Sequence, residues 1–240
     1  MRDDASLNPV FVALDTPSLK RALGLARAVK PYVGGIKIGL EFISAQGPDG
    51  IRAMVATGIP VFADVKFHDI PNTVAGAVKS LAPLGAAMIN LHASGGAAMM
   101  RAAAAAAAEF DQRPKILAVT VLTSLDRADL AALGVAAAPI DQVVRLAKLA
   151  LDSGLDGVIC SPQEIHAVRD ACGADFLIVT PGIRPGGSSL DDQRRVTTPA
   201  KALQAGADFL VIGRPITAAA DPAMAAREIA AELAGVLAAR

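Results

Sequence analysis

The chain reads as α/β, a single-domain (β/α)8 barrel of the TIM type, and three observations predict it. Eight short apolar runs alternate without a break with helix-like segments, and strict β-α alternation implies a parallel sheet. Eight units of about 30 residues account for the chain's 240, which suits a closed barrel better than an open doubly wound sheet. No G-x-G-x-x-G follows the first strand, which argues further against a dinucleotide-binding sheet. The expected organisation is one domain over residues 1–240, with the active site at the C-terminal ends of the strands.

The strands are expected at Val10 to Leu14, Gly35 to Ile38, Val61 to Ala63, Ala87 to Leu91, Ile116 to Leu122, Gly157 to Cys160, Phe176 to Thr180 and Phe209 to Ile212. Thr16-Pro17 opens the first helix as a cap followed by proline, and Thr198-Pro199 and Asp221-Pro222 repeat that signature. The run Ala102 to Ala108 is built from the best helix former and reads as the fourth helix, between the fourth and fifth strands. In Ser161-Pro162-Gln163-Glu164 serine is the N-cap, proline takes N1 and glutamate N3. The last segment sets Ile229, Leu233, Val236 and Leu237 on one helical stripe facing the sheet.

Composition narrows the function classes. Net charge is zero, 53% of residues are hydrophobic and there is no tryptophan, as in a globular protein with one generous core. Lysine and arginine are scattered, so no nucleic-acid surface is expected, and no apolar stretch approaches the roughly 18 residues that span a bilayer. The short polar segment Met1 to Asn8 does not read as a secretory leader, and a cytoplasmic location is expected. Cys160 and Cys172 have no metal-ligand spacing and read as buried free thiols.

The chemistry is concentrated after the third apolar run. Asp64, Lys66 and Asp69 put three charges within six residues, where a buried strand would carry none. Strand alternation points Asp64 and Lys66 the same way, and Asp69 is expected to return through the turn, so that an acid, an ammonium and a second acid converge. At about 4 Å and intermediate dielectric each opposite charge is worth on the order of 4 kcal/mol, which holds the amine protonated as a fixed proton donor. Lys37 in the second strand needs a partner, and Asp64 on the next strand is the obvious one.

Other strand ends complete the set. Asp15 ends the first strand, Thr123 follows the fifth, Pro181-Gly182-Ile183-Arg184 follows the seventh and Gly213-Arg214 the eighth. The long loop from Pro181 to Thr198 carries Arg184, Gly186, Gly187, Gln193, Arg194 and Arg195. With Gly213-Arg214 it falls at the usual barrel location for a phosphate, so a phosphate ester is the expected ligand and the glycine-rich loop a lid.

At this point the motifs resemble a family. Asp-x-Lys-x-x-Asp-Ile-Pro-Asn-Thr from Asp64 to Thr73, Ala13-Leu14-Asp15, Lys37-Ile38-Gly39, Pro181 to Pro185 with Gln193, and Ile212-Gly213-Arg214-Pro215-Ile216 together resemble orotidine 5′-phosphate decarboxylase, over about Phe11 to Ile216. The resemblance implies loss of CO2 from pyrimidine C6 to give UMP with no metal or organic cofactor. It implies Lys66 as proton donor, with Asp64, Lys37 and Asp69 completing the charged array. Asp69 and Thr73 would come from the neighbouring subunit of a homodimer. Asp15 and Lys37 would bind the ribose, Thr123 the pyrimidine, and Arg184, Gln193, Gly213 and Arg214 the phosphate end, with Ile70 and Pro181 also against the substrate.

Two other functions fit parts of this pattern. A metal-dependent sugar-phosphate decarboxylase on the same barrel also uses Asp-x-Lys after strand three, but magnesium would need a further acid near the end of strand two, where Lys37 stands. A non-catalytic phosphate-ligand sensor would have no need of Lys66 and its acids together. His68 is embedded in the motif beside a lysine that already supplies a proton, His92 is expected at the rim and His166 on a helix surface. Asp191, Asp192, Arg194 and Arg195 read as solvated loop charges around Gln193.

Overall fold

A computed structural model describes residues 8–185 and 197–238. Strands Val10–Ala13 (β1), Gly35–Ile38 (β2), Val61–Phe67 (β3), Met88–His92 (β4), Lys115–Val119 (β5), Gly157–Ile159 (β6), Leu177–Thr180 (β7) and Phe209–Ile212 (β8) pair in parallel, each with its sequence neighbour, and β8 closes on β1. The described helices are Leu19–Val29 (α1), Leu40–Val55 (α2), Pro71–Leu81 (α3), Gly96–Ala108 (α4), Arg127–Ala132 (α5), Pro139–Asp152 (α6), Ile165–Cys172 (α7), Pro199–Gln204 (α8), Arg214–Thr217 (α9) and Pro222–Leu237 (α10).

Alternation along the strands divides the core in two. One set, with Phe11, Phe62, Met88, Leu117, Val179 and Val211, fills the barrel interior, so the barrel is packed and not a pore. The other lies between the sheet and the helices and takes the opposite strand residues together with Ala22, Ala26, Met99, Ala103, Leu146 and Leu233. The alanine run of α4 therefore serves a packing purpose: Ala103, Ala106 and Ala107 are buried, and small side chains let α4 lie close to α3 and the sheet.

Several boundaries differ from the sequence expectation. The strand expected at Val61 to Ala63 runs on to Phe67, so Asp64 and Lys66 lie inside β3 and Asp69 just beyond its end. The fifth strand stops at Val119, after which the chain turns into the loop carrying Thr123 and the short helix α5. Ser18, not Thr16, caps α1, its hydroxyl accepting from Arg21 N, while Thr16 Oγ1 accepts from Ser18 N. Thr198 and Asp221 cap α8 and α10 as expected, and Glu164 accepts from Ser161 N at 2.7 Å. Leu237 is 39% exposed and leaves the stripe, which consists of Ile229 and Leu233 with Val236 at its edge. Within α2 the helix kinks at Gly47 (φ 59°), because Pro48 lacks a donor and the preceding residue must leave the helical region.

The N-terminal face of the barrel is tied by carboxylates. Asp156 accepts from both terminal nitrogens of Arg113 at 2.9 and 2.6 Å, from Lys115 Nζ at 3.1 Å and from Ile116 N at 2.8 Å. Asp208 accepts from Ile178 N at 2.8 Å and from Arg169, which also donates to the carbonyls of Gly173, Ala174, Phe176 and Gly206. Burial disfavours the Asp156 charge, yet Arg113, Ile116 N and Lys115 outweigh it and hold the carboxyl below its ordinary 3.8. A depressed folded value stabilises the fold above pH 3.8, and that stabilisation is lost as pH falls through the folded value. Asp156→Asn is expected to cost about 1–3 kcal/mol at pH 7, and in thermal unfolding followed by circular dichroism its gap from the native chain should stay constant down to pH 5 and narrow only below about pH 4.

Candidate active site

The C-terminal strand ends surround a cavity of about 250 Å³. Its floor is the top layer of barrel side chains, Phe62, Val119, Ile159 and Val211. Of the residues singled out in the sequence, Asp15, Lys37, Asp64, Lys66, Thr123, Pro181, Arg184, Gly213 and Arg214 all line it. The ionic residues of β1 to β3 stand on one side and Arg184 beyond β7 on the other, since β3 and β7 are four strands apart in either direction around the ring.

Asp64 is the centre of the ionic side. It is 8% exposed, with Oδ2 3.1 Å from Lys37 Nζ and Oδ1 2.6 Å from Lys66 Nζ. Lys37 Nζ also lies 3.3 Å from Asp15 Oδ1, so the four groups form an alternating chain, Asp15, Lys37, Asp64, Lys66. Register explains the meeting of Lys37 and Asp64: Lys37 pairs with Phe62 and both point inward, so Asp64, two residues further along β3, shares their side of the sheet. Gly39 keeps the corner open, since a Cβ there would sit 3.2 Å from Asp15 Oδ1 and 3.3 Å from Lys37 Nζ.

Lys66 has a special backbone. Its φ of 52° is the only positive value at a non-glycine residue among those described, and the β3–β4 register shifts between Ala63 and Phe67. A left-handed residue bearing a Cβ costs about 1–2 kcal/mol, so its surroundings must hold it there. The irregularity also takes Lys66 N out of the regular ladder, and Asn90 Oδ1 accepts from it at 2.8 Å. The same amide donates through Nδ2 to Asp64 Oδ1 at 2.7 Å. Asn90 is fully buried and escaped the sequence reading, although an amide in the middle of the apolar run Met88 to Leu91 was a signal for it.

The guanidinium side is built on tight turns. Gly182 (φ 76°) turns the chain out of β7 with a backbone that a side chain would strain. Arg184 N then donates to Thr197 O at 2.9 Å, and the bridge Ile183–Thr197 closes the base of the long loop. Arg184 is buried against this base, whereas Arg214, at the start of α9, is exposed. Gly186, Gly187, Asp191, Asp192, Gln193, Arg194 and Arg195, and with them the expected lid, lie outside the described residues.

Not every expected residue reaches this cavity. Asp69, Ile70 and Thr73 are exposed and do not line it, so the expected convergence of Asp64, Lys66 and Asp69 is not made within one chain. The cause is local: after Phe67 the chain turns outward, and Asp69 Oδ1 accepts from Ile70 N at 2.6 Å, facing the start of α3. His68 and His92 lie with ring centroids 5.6 Å apart, and burial, then His68 and Lys66, push the His92 imidazole below its usual value. His166 is exposed on α7 as expected. Cys160 is buried and borders the cavity; Cys172 is only half-buried, with burial pushing its thiol up.

Burial opposes charge on both central groups, and the ion pairs overcome it. For Lys37 the fields of Asp64 and Asp15 outweigh burial and raise the ammonium above its ordinary 10.5. For Asp64 burial is outweighed by Lys37, Lys66 and the Asn90 amide, and the carboxyl falls below its ordinary 3.8. Both groups therefore stay charged throughout the neutral range.

Residues 8–229 match the family model described as Orotidine 5′-phosphate decarboxylase / HUMPS family. A protein of Paramagnetospirillum magneticum named orotidine 5′-phosphate decarboxylase is 55% identical over 232 residues, covering 95% of this chain and 99% of that protein. One of the same name from Moorella thermoacetica is 56% identical over 230 residues, covering 93% and 91%. Among solved structures, an orotidine 5′-phosphate decarboxylase from Lactobacillus acidophilus superposes with a TM-score of 0.84 at 38% identity, covering 95% of this chain and 99% of that one. An uncharacterized conserved protein from Geobacillus kaustophilus does so with a TM-score of 0.81 at 39% identity, covering 93% and 99%.

The ion chain makes a direct prediction about its own members. In Asp64→Asn the burial of Lys37 persists while its main counter-charge is gone, so the Lys37 ammonium should lose its proton below 10.5 instead of above it. A pH titration of the lysine ε-carbon resonances, with Lys37→Arg to assign the signal, measures this; an unmoved Lys37 would mean that Asp64 does not hold its charge.

Proposed function

Because this chain belongs to the orotidine 5′-phosphate decarboxylase / HUMPS family, we propose that it removes CO2 from orotidine 5′-phosphate to give UMP, the last step of de novo pyrimidine-nucleotide synthesis. The observation that carries the reading is the chain of two acids and two ammoniums on one side of a cavity that also holds Arg184 and Arg214.

The chemistry asks for that arrangement. When the C6–carboxylate bond breaks, its electron pair stays on a vinylic carbon with no electron sink, and a carbanion in the ring plane must be stabilised as it forms. An ammonium already in place does so electrostatically and then delivers its proton to C6, without the cost of reorganising solvent. Lys66 is the donor in this reading, supported by its 2.6 Å contact with Asp64 and its partial exposure to the cavity. The neutral amine left behind regains its proton from solvent. Asp64 sets a fixed negative charge beside the departing carboxylate, a repulsion that disappears as neutral CO2 leaves. Arg184, Gly213 and Arg214 hold the phosphate, with Gln193 from the long loop; Asp15 and Lys37 bind the ribose, and Thr123 and Pro181 border the base.

A divalent metal fits these residues poorly. Asp64 has its two oxygens facing Lys66, Asn90 and Lys37, so a cation arriving at that carboxylate meets two ammoniums. The chain as a whole acts in the cytoplasm as one catalytic domain in this reading, and no described helix is long and apolar enough to cross a membrane.

The remaining acid comes from a second copy of the chain. Support for this is the exposure of Asp69 and Thr73 and of Ile70, an apolar side chain left 67% exposed at the start of α3. In such a dimer Asp69, Ile70 and Thr73 of each protomer complete the partner's site.

Two experiments test this function. Purified chain should release CO2 from orotidine 5′-phosphate at a rate that a strong chelator leaves unchanged, and Lys66→Ala should bind UMP yet lose at least about 10³-fold in kcat; substantial residual turnover would remove Lys66 from its role. For the shared site, inactive Lys66→Ala and Asp69→Ala proteins are mixed and allowed to exchange subunits. Half of the resulting dimers are mixed and each contains one intact site, so activity should return to about a quarter of native. No recovery, or a fully active monomer in sedimentation, would mean that Asp69 does not act across a subunit interface, and a fully active Asp69→Ala protein would place Asp69 outside the site.

A further inference from the structure

Asn90 is a buried polar side chain in contact with the ionic chain that the proposed reaction does not use, and its two contacts leave no freedom in its assignment. Lys66 N–H can only donate, and an ionised Asp64 carboxylate can only accept. The oxygen of the Asn90 amide must therefore face Lys66 N, 2.8 Å away, and its nitrogen must face Asp64 Oδ1, 2.7 Å away. Asp64 Oδ1 is also the atom that Lys66 Nζ touches. One amide thus joins both ends of Lys66, the backbone directly and the ammonium through Asp64.

We propose that Asn90 is a positioning residue for the Lys66 ammonium: by tying the left-handed Lys66 backbone to the carboxylate that holds its Nζ, it fixes the direction in which the amine faces the cavity. This rests on the reading of Lys66 as proton donor. Few other side chains could do it. Leucine has nearly the same shape but leaves a buried N–H and a carboxylate lone pair unmet, and serine or alanine is too short to span both. An ionised aspartate would set two carboxylates about 2.7 Å apart and repel Lys66's partner, whereas a protonated aspartic acid presents one acceptor and one donor, as the amide does.

That last contrast gives the test. Asn90→Leu should lower kcat for orotidine 5′-phosphate by about 10²-fold, the cost of a reacting group displaced by about 1 Å, while UMP, held mainly at its phosphate, keeps its Kd within about threefold. Asn90→Asp should be similarly impaired at pH 8 and recover as the medium is acidified, its kcat relative to native rising by up to tenfold per pH unit as the added acid takes up its proton. In Asn90→Asp the added acid and Asp64 titrate as one coupled pair, and the ratio to native reports the uptake of one proton by that pair. Circular dichroism and the UMP Kd of Asn90→Asp, measured at both ends of the pH range, separate this recovery from refolding, because unfolded material loses both together with kcat. Variants with native kcat, an Asn90→Asp ratio flat between pH 8 and 6, or kcat and UMP affinity lost together would each overturn the positioning role. A native chain that does not decarboxylate would overturn the functional reading itself, an outcome distinct from active native enzyme with indifferent variants.

Discussion

The carboxylate of Asp64, buried at the mouth of the barrel, is the constraint around which the site is arranged. An isolated carboxylate in that position would cost many kcal/mol and would take up a proton instead of staying charged. Two ammoniums and one amide offset the cost, but each of those groups is itself out of reach of bulk water to some degree and needs the carboxylate in return. The groups are stable only as a set. Within it, Asp15 and Asp64 balance Lys37 and Lys66, so the ionic side is close to neutral before an anionic substrate enters. In the proposed reaction, net attraction for such a substrate is left to Arg184 across the cavity and to Arg214 beyond β8, the strand that adjoins β1. Division of charge in this way lets the phosphate end bind while the other end stays poised for chemistry.

The barrel supplies what that set requires, which is rigidity. A layer of Phe62, Val119, Ile159 and Val211 lies directly beneath the charges, and side chains in so packed a core sit in fixed rotamers. The opposite face carries ions of another kind. Asp156 and Asp208 accept backbone N–H groups of neighbouring strands together with arginine and lysine, and so fasten strand to strand where no substrate arrives. Carboxylates at the two ends of the barrel thus serve opposite purposes, stability below and reactivity above, the separation expected of this architecture.

The alternation of apolar runs and the cap signals made the barrel legible in the sequence, because each depends on a residue and its near neighbours. Lys37 and Asp64 were legible as partners for the same reason, since adjacent parallel strands put inward residues side by side. What stayed hidden depends on backbone paths that side-chain identity does not encode. Charges after Ala63 looked like the end of a strand, yet β3 continues through a bulge that the sequence does not mark with glycine. Asn90 is visible as a functional group only once Lys66 N is known to have left the ladder. The outward turn at His68 decides whether Asp69 faces its own cavity or another chain, and nothing in Asp-x-Lys-x-x-Asp specifies that direction. Thr16 and Ser18 flank the same proline, so which hydroxyl caps the helix is settled by where the first helical turn begins.

The donors around Asp64 also bear on how repulsion could assist the proposed reaction. A substrate carboxylate about 4 Å from Asp64 would be opposed by on the order of 4 kcal/mol at intermediate dielectric, and a mobile side chain would rotate away and dissipate it. Asp64 is not mobile in that sense. Each charge-assisted hydrogen bond contributes about 1.5–3 kcal/mol, and the contacts from Lys66, Asn90 and Lys37 together exceed the push. In the proposed reaction the strain would therefore fall on the substrate, whose phosphate would be held by Arg184 and Arg214. The ways left to relieve it are dissociation of the whole nucleotide, which forfeits the phosphate contacts, and departure of the carboxyl group as neutral CO2. In that reading, a carboxylate fixed by its neighbours would turn binding energy at one end of the ligand into bond cleavage at the other, with the ammonium that fixes it placed to protonate the carbon.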